Sequence, residues 1–209
     1  MKVFLFGGYE TKLNQLEDMY RLIGEQITTT GCKNILHIPF AFQKATFADR
    51  HRELFSVLTQ YIPYGFNFID ASCEADIDQI KSCLVLISGG QSNSQLLQEI
   101  QKRSYLLEYI KNTKYLMGSS AGAMVLGKFV RMSKPFDHII EGLGILPQTI
   151  IEPHYTERKR KEGLLMNMEK SGAKCGIGID CVTGLSFDLV DFPHKYEKIG
   201  EGQVKVLTS

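Results

Sequence analysis

The segment most able to do chemistry is GSSAG at residues 118–122, which places Ser120 between two glycines in the G-x-S-x-G pattern of a nucleophile elbow. An apolar run from Tyr115 to Met117 precedes it, and small and aliphatic residues follow it, so the pattern predicts a strand, a sharp turn and a helix. At such a turn the serine hydroxyl projects from the carboxyl end of a sheet. The segment therefore predicts acyl-transfer or hydrolytic chemistry with Ser120 as the nucleophile.

A serine nucleophile needs a neighbouring base, and that base needs an orienting group. The best candidate base is His154, which directly follows an apolar strand ending in Pro153. The alternative is that His154 is only a hydrogen-bonded structural residue. Of the other histidines, His37 is predicted to lie in a strand within the core and His51 on a helix in solvent. His138, in a loop, is the weaker rival.

A second turn, at Gly89-Gly90, ends an apolar strand and precedes a helix. Exposed backbone N–H groups at such a turn could bind an oxyanion. The alternative is that the glycines serve only the conformation of the turn, as at Gly7-Gly8 near the first strand. Neither the Walker nor the G-x-G-x-x-G spacing is present, so no phosphate-binding loop is predicted. The loop from 133 to 142 adds two carboxylates, Asp137 and Glu141.

The elements that must position these residues alternate between short apolar strands and amphipathic helices. This alternation predicts a parallel sheet with right-handed crossovers. After about residue 128 the pattern changes to short strands and turns. We therefore predict a single α/β domain over residues 1–209, with a doubly wound, mostly parallel sheet flanked by helices and a small antiparallel C-terminal extension. The predicted helices include residues 75–82, 94–111 and 157–170.

Composition limits the classes of function. The chain has 209 residues and a net charge of +1, which gives no electrostatic footprint for nucleic acid or an anionic membrane. No apolar run is long enough to span a membrane, and no signal peptide is recognisable. The five cysteines form no C-x-x-C pair, so we expect free thiols in a reducing cytoplasm, without a disulfide framework or a zinc site.

Four segments together resemble the serine peptidase family of dipeptidase E (aspartyl dipeptidase) and cyanophycinase. They are residues 87–91 (ISGGQ), 118–123 (GSSAGA), 142–147 (GLGILP) and 152–155 (EPHY). The resemblance runs from Lys2 to about Lys170. It implies a fold like that of the class I glutamine amidotransferases, with serine in place of cysteine at the elbow.

By this resemblance, Ser120 is the nucleophile and His154 the general base, and backbone N–H groups near Gly89 or Gly90 and of Ala121 form the oxyanion hole. The family places its acid between the serine and the histidine, so Asp137 is the preferred third member and Glu141 its rival. The amidotransferase position two residues after the histidine holds Thr156 instead of an acid. No metal or cofactor is expected.

The resemblance also implies a small peptide substrate, cleaved at an aspartyl residue. Arg158 or Arg131 could bind a substrate carboxylate, although the charged run at 157–161 is also typical of a solvated helix face. An esterase on the same site, and a non-catalytic binding or regulatory protein on the same fold, remain alternatives. The sequence leaves both a monomer and a homodimer open.

Overall fold

The computed structural model describes residues 1–43, 46–73, 83–132 and 138–209. The strands of these ranges are β1 (Lys2–Phe6), β2 (Asn34–Ile38), β3 (Asn67–Asp70), β4 (Leu84–Ile87), β5 (Tyr115–Ser119), β6 (Gly127–Arg131), β7 (Ile139–Glu141), β8 (Leu146–Pro153), β9 (Cys175–Ile179), β10 (Thr183–Asp188), β11 (Glu197–Gly200) and β12 (Val204–Thr208). The α-helices are α1 (Leu16–Thr30), α2 (Phe47–Leu58), α3 (Asn93–Gln101), α4 (Ser104–Asn112), α5 (Ala121–Met124) and α6 (Lys161–Ser171).

The strands form two sheets. The first has the order β11-β10-β1-β5-β4-β2-β3; its five strands from β1 to β3 are parallel, and β10 and β11 extend it in the antiparallel direction. The second has the order β12-β9-β8-β6-β7, with β6, β8 and β9 parallel. This arrangement confirms the predicted mostly parallel α/β class. The strands form two sheets, whereas the sequence predicted one.

Both faces of the first sheet are covered, as a parallel sheet requires. Along β1, Phe4 and Phe6 pack in a cluster with residues of α1 and α2, such as Ile23. The alternate residues Val3 and Leu5 belong to a separate cluster with residues of α3, α4 and α5. This two-residue alternation follows from the pleat of the strand, so β1 is fixed in the middle of the sheet with helices on either side.

Two predicted helices differ from the observed ones. The helix predicted over 94–111 is broken between α3 and α4, where the Arg103 guanidinium turns back to the carbonyl and carboxylate oxygens of Glu99. The helix predicted over 157–170 begins only at Lys161, because the preceding residues form a turn in which Lys159 has a φ of 50°. The helix predicted over 75–82 lies outside the described residues.

The expectation that every cysteine is free is wrong for one pair. Cys32 follows α1, Cys83 precedes β4, and their side chains form a disulfide with Cα atoms 5.9 Å apart. Cys73, Cys175 and Cys181 are free. Among the described residues, no helix is both long enough and apolar enough to cross a membrane.

Candidate active site

Ser120 occupies the turn between β5 and α5. Its backbone has φ 50° and ψ −114°, a conformation that is costly for a residue with a side chain. The turn is held by bonds from the Ser120 N–H to the carbonyl of Phe6 and from the Ala123 and Met124 N–H groups to the Ser120 carbonyl, all 2.9–3.0 Å. A β-carbon at Gly122 would lie 2.0 Å from the carbonyl oxygen of Ile87, so the strand and helix approach too closely for any other residue there.

His154 meets Ser120 from the second sheet. It follows the last residue of β8, and its Nε2 lies 3.0 Å from the Ser120 Oγ. The side chain is buried, and its backbone N–H donates to the carbonyl of Gly7. Gly8 has a φ of 87°, and a β-carbon there would lie about 3 Å from both Ser120 and His154. The Gly7-Gly8 turn therefore borders the serine–histidine pair, and a side chain at Gly8 would crowd both residues.

Two side chains contact the other ring nitrogen of His154. The Cys181 Sγ lies 3.0 Å from Nδ1, and a carboxylate oxygen of Glu10 lies 3.2 Å from it. The hydrogen bond at Nδ1 is with Cys181, and the negative charge of the Glu10 carboxylate beside it favours the tautomer with a proton on Nδ1. In that tautomer Nε2 has a free lone pair and can accept the proton of Ser120.

Burial keeps His154 neutral at neutral pH, and Arg158 keeps Glu10 ionised. Burial, with a further contribution from Arg158, lowers the pKa of His154 to about 4, although Glu10 acts in the opposite direction. Burial raises the pKa of Glu10, but its hydrogen bond and ion pair with Arg158 outweigh burial and lower it. A neutral imidazole beside an ionised carboxylate is the combination that a general base needs.

Of the two predicted acids, only Glu141 lies among the described residues, and it does not contact His154. Asp137 lies outside the described residues, so its role stays a prediction. Glu141 lies on β7, is exposed, and pairs with Lys128. Sequence reasoning missed Glu10 and Cys181. The available signal was position: Glu10 follows the carboxyl end of β1 and Cys181 that of β9, and both ends point to the edge that carries Ser120.

Of the predicted oxyanion residues, Ala121 follows Ser120 in the chain, and Gly89 and Gly90 line the same cavity as Ser120. A β-carbon at Gly89 would lie 2.9 Å from the Cβ of Ser120, whereas one at Gly90 would lie 2.6 Å from the Cβ of Ala41. The lack of a side chain thus opens the site at Gly89 and permits packing at Gly90. The backbone N–H groups of Gly89, Gly90 and Ala121 have no hydrogen-bond acceptor among the described residues, so they are free to bind an oxyanion.

A cavity of about 320 Å³ opens in front of Ser120. Apolar side chains of α1, α2 and β4 form one wall, and Arg50, Glu53 and Arg158 bring charge to it. Of the two cations that the sequence suggested for a substrate carboxylate, Arg158 lines this cavity. Arg131 is instead buried, and its guanidinium binds both carboxylate oxygens of Glu152.

Comparison with protein families and curated proteins gives consistent matches. The model described as Peptidase family S51 matches residues 3–188. A cyanophycinase from Geminocystis herdmanii (strain PCC 6308) is 29% identical over 138 residues, which are 62% of this chain and 46% of that protein. A cyanophycinase from Synechococcus elongatus is 30% identical over 131 residues, 57% of this chain and 41% of that protein. The matched region thus spans less than half the length of these relatives.

Solved structures show the same fold. The crystal structure of a peptidase from an acI-B1 Actinobacterium aligns with a TM-score of 0.70 at 22% identity, covering 99% of this chain and 90% of that one. A candidate peptidase E protein from Listeria monocytogenes EGD-e aligns with a TM-score of 0.58 at 17% identity, covering 100% of this chain and 98% of that one. At these identities the likeness concerns the fold.

Proposed function

Because the chain belongs to peptidase family S51, we propose that it is a serine peptidase that hydrolyses small peptides through an acyl-enzyme on Ser120. The observation that carries the proposal is the 3.0 Å contact between the Ser120 Oγ and the His154 Nε2 at a strained elbow beside an open cavity. Strain at a functional turn holds the hydroxyl where it can react. A purely structural serine would have no need of this conformation.

The reaction begins when the Ser120 Oγ attacks the substrate carbonyl carbon and its proton moves to Nε2 of His154. The tetrahedral intermediate then collapses as the carbon–nitrogen bond breaks, and His154 returns the proton to the leaving amine. Water, deprotonated by the same nitrogen, hydrolyses the acyl-enzyme and frees Ser120. The N–H groups of Ala121 and of the Gly89–Gly90 turn hold the negative charge that develops on the carbonyl oxygen.

Glu10 is the described carboxylate best placed to orient His154. Its contact with Nδ1 supports the tautomer in which Nε2 is the base, and it stabilises the imidazolium that forms during the reaction. Asp137 remains the competing candidate for the same role. The two assignments are mutually exclusive at one nitrogen, which makes them separable by mutation.

The cavity supports a substrate with an acidic residue. Arg50 lines the cavity, and one nitrogen of its guanidinium pairs with Glu53. A guanidinium at the wall of a substrate cavity can bind a carboxylate through charge-assisted hydrogen bonds. Together with Arg158, this group supports cleavage of peptides that contain aspartate.

A fluorophosphonate probe tests the nucleophile directly. We expect one adduct at Ser120 in the folded protein, identified by peptide mass spectrometry, and none in the Ser120→Ala variant or after denaturation. Hydrolysis of aspartyl dipeptides should be lost in the same variant. An absence of any adduct in the folded wild-type protein would contradict the proposal and favour a non-catalytic binding protein.

A further inference from the structure

Three side chains with different metal-ligating atoms meet at the Nδ1 side of the His154 ring, which faces away from Ser120. They are the Nδ1 of His154, the Sγ of Cys181 and a carboxylate oxygen of Glu10, and their ligand atoms all lie within 4.8 Å of one another. The sulfur lies 3.0 Å and the carboxylate oxygen 3.2 Å from the ring nitrogen. Each residue comes from a different loop, after β1, β8 or β9, so only the tertiary fold brings them together.

The spacing fits a tetrahedral ion. Zinc bonds of about 2.0 Å to nitrogen or oxygen and about 2.3 Å to sulfur place neighbouring ligands about 3.3–3.5 Å apart. The observed nitrogen–sulfur separation of 3.0 Å and nitrogen–oxygen separation of 3.2 Å are shorter than these values by about 0.5 and 0.1 Å, and the sulfur and the oxygen lie within 4.8 Å of each other. Small side-chain rotations can make up these differences. One coordination position would remain for water.

A second carboxylate adds negative charge to this cluster. Oε1 of Glu157 accepts the backbone N–H of Cys181 at 2.9 Å, while its Oε2 is inaccessible to solvent and has no hydrogen-bond partner among the described residues. A buried carboxylate oxygen without a partner is costly unless a cation lies nearby. Arg158 donates to the same Glu10 oxygen that lies beside Nδ1, so a bound cation would take the second oxygen of this carboxylate or displace the guanidinium.

We propose that Glu10, His154 and Cys181 bind a thiophilic divalent cation such as Zn²⁺, and that the bound ion switches the peptidase off. The binding part stands on the cluster alone; the inhibition rests on the function proposed above. One sulfur, one nitrogen and one oxygen ligand select Zn²⁺ or Cd²⁺ over Mg²⁺ and Ca²⁺, which prefer oxygen ligands. On binding, the Cys181 thiol releases its proton to solvent and its sulfur bonds the metal.

Inhibition follows from the tautomer of the imidazole. A metal on Nδ1 occupies that nitrogen's lone pair, so the single proton of the neutral ring lies on Nε2. Nε2 then donates to the Ser120 Oγ and no longer accepts from it. Ser120 keeps its proton, and the first step of acyl transfer stops without any change in the substrate cavity.

Metal binding is tested on the metal-free full chain with Zn²⁺ in equilibrium dialysis and with Co²⁺ by absorption. We expect one tightly bound ion per chain and a near-ultraviolet thiolate-to-cobalt band. Cys181→Ser should lose the band and weaken Zn²⁺ binding by about 100-fold or more, because loss of even an outer-shell partner costs about 10- to 100-fold in affinity. Cys73→Ser, which removes an exposed free thiol elsewhere, is the matched control and should keep both. Equal binding by Cys181→Ser and wild type would overturn the site.

The consequence for activity is measured as the rate with Zn²⁺ divided by each variant's own metal-free rate. Wild type and Cys73→Ser should lose most of their rate and recover it with a chelator, while Cys181→Ser should resist. Tight Zn²⁺ binding without loss of rate would contradict the proposed inhibition but would still support the proposed metal site. Ser120→Ala should bind Zn²⁺ as wild type does, so the dialysis decides the site even if no chain hydrolyses peptides and the proposed function fails.

Discussion

Among the described residues, two serine–histidine pairs lie at the same edge of this molecule, and we propose a catalytic role for only one of them. Oγ of Ser120 lies 3.0 Å from Nε2 of His154, and Oγ of Ser88 lies at the same distance from Nε2 of His37. Both serines line the same cavity. The distance between the hydroxyl and the imidazole therefore does not distinguish them.

What differs is the group behind each histidine. Ser88 follows β4, and its hydroxyl also lies 3.4 Å from the carbonyl oxygen of Ile38. Nδ1 of His37 lies 3.1 Å from Nδ1 of His51, an imidazole nitrogen that can donate or accept a proton. Nδ1 of His154 instead has a carboxylate beside it, whose negative charge favours a proton on Nδ1 and leaves Nε2 as the acceptor. The group behind the histidine decides which nitrogen is the base.

The strongest test of this comparison removes each hydroxyl in turn. Ser120→Ala should lower kcat for peptide hydrolysis by about 10⁴-fold or more, as loss of a nucleophile does in serine peptidases. Ser88→Ala should lower it by less than about tenfold, because Ser88 only supports the wall of the cavity. Steady-state kinetics on the two purified variants measures both. A comparable loss in Ser88→Ala would mean that the second pair takes part in the chemistry.

The next largest effect concerns the group behind His154. Glu10→Gln keeps the shape of the side chain but removes its charge, and it should lower kcat by about 10²- to 10⁴-fold with little change in KM. Glu141→Gln, which removes an exposed carboxylate on β7, is the control and should leave the rate unchanged. If Asp137→Asn lowers kcat and Glu10→Gln does not, Asp137 is the orienting acid.

Helix α2 carries His51, which contacts His37 of the Ser88–His37 pair, and also Arg50, which lines the cavity. We therefore expect α2 to affect the choice of substrate. Arg50→Gln should reduce kcat/KM for an aspartyl dipeptide about tenfold relative to its asparaginyl analogue, because a charged partner in the cavity is lost. Arg52→Gln, an exposed neighbour on the same helix, should leave this ratio unchanged. Equal ratios in wild type and Arg50→Gln would remove Arg50 from substrate recognition.

The smallest expected effect is on stability. Burial, and then His51, lower the pKa of the fully buried His37 well below 6.5. As pH falls below about 6.5, the unfolded chain binds a proton at this residue and the folded chain does not, so the free energy of unfolding should fall by about 1.4 kcal/mol per pH unit. Urea unfolding of wild type and His37→Gln between pH 7.5 and 5 compares the slopes. Identical slopes would show that His37 does not contribute.

Much of the fold followed from patterns within short segments. The apolar runs predicted the strands of the first sheet, the elbow predicted the conformation of Ser120, and the family resemblance that these segments suggested is confirmed by the match to Peptidase family S51. Such features can be recognised locally, because a sharp turn between a strand and a helix requires glycine or another small residue beside the central serine. Burial of His37 followed in the same way from its place in an apolar strand.

Tertiary structure alone decided which groups surround each histidine. His51 was expected in solvent, yet its ring stacks on His37 with centroids 5.3 Å apart. Glu10 and Cys181 carry no motif, and they reach His154 because strands far apart in sequence end at one edge. The sequence by itself determined the glycine-flanked turn at Ser120 and the α/β class. The groups beside Nδ1 of His154, which decide the tautomer of its ring, depend on long-range packing that no local pattern encodes.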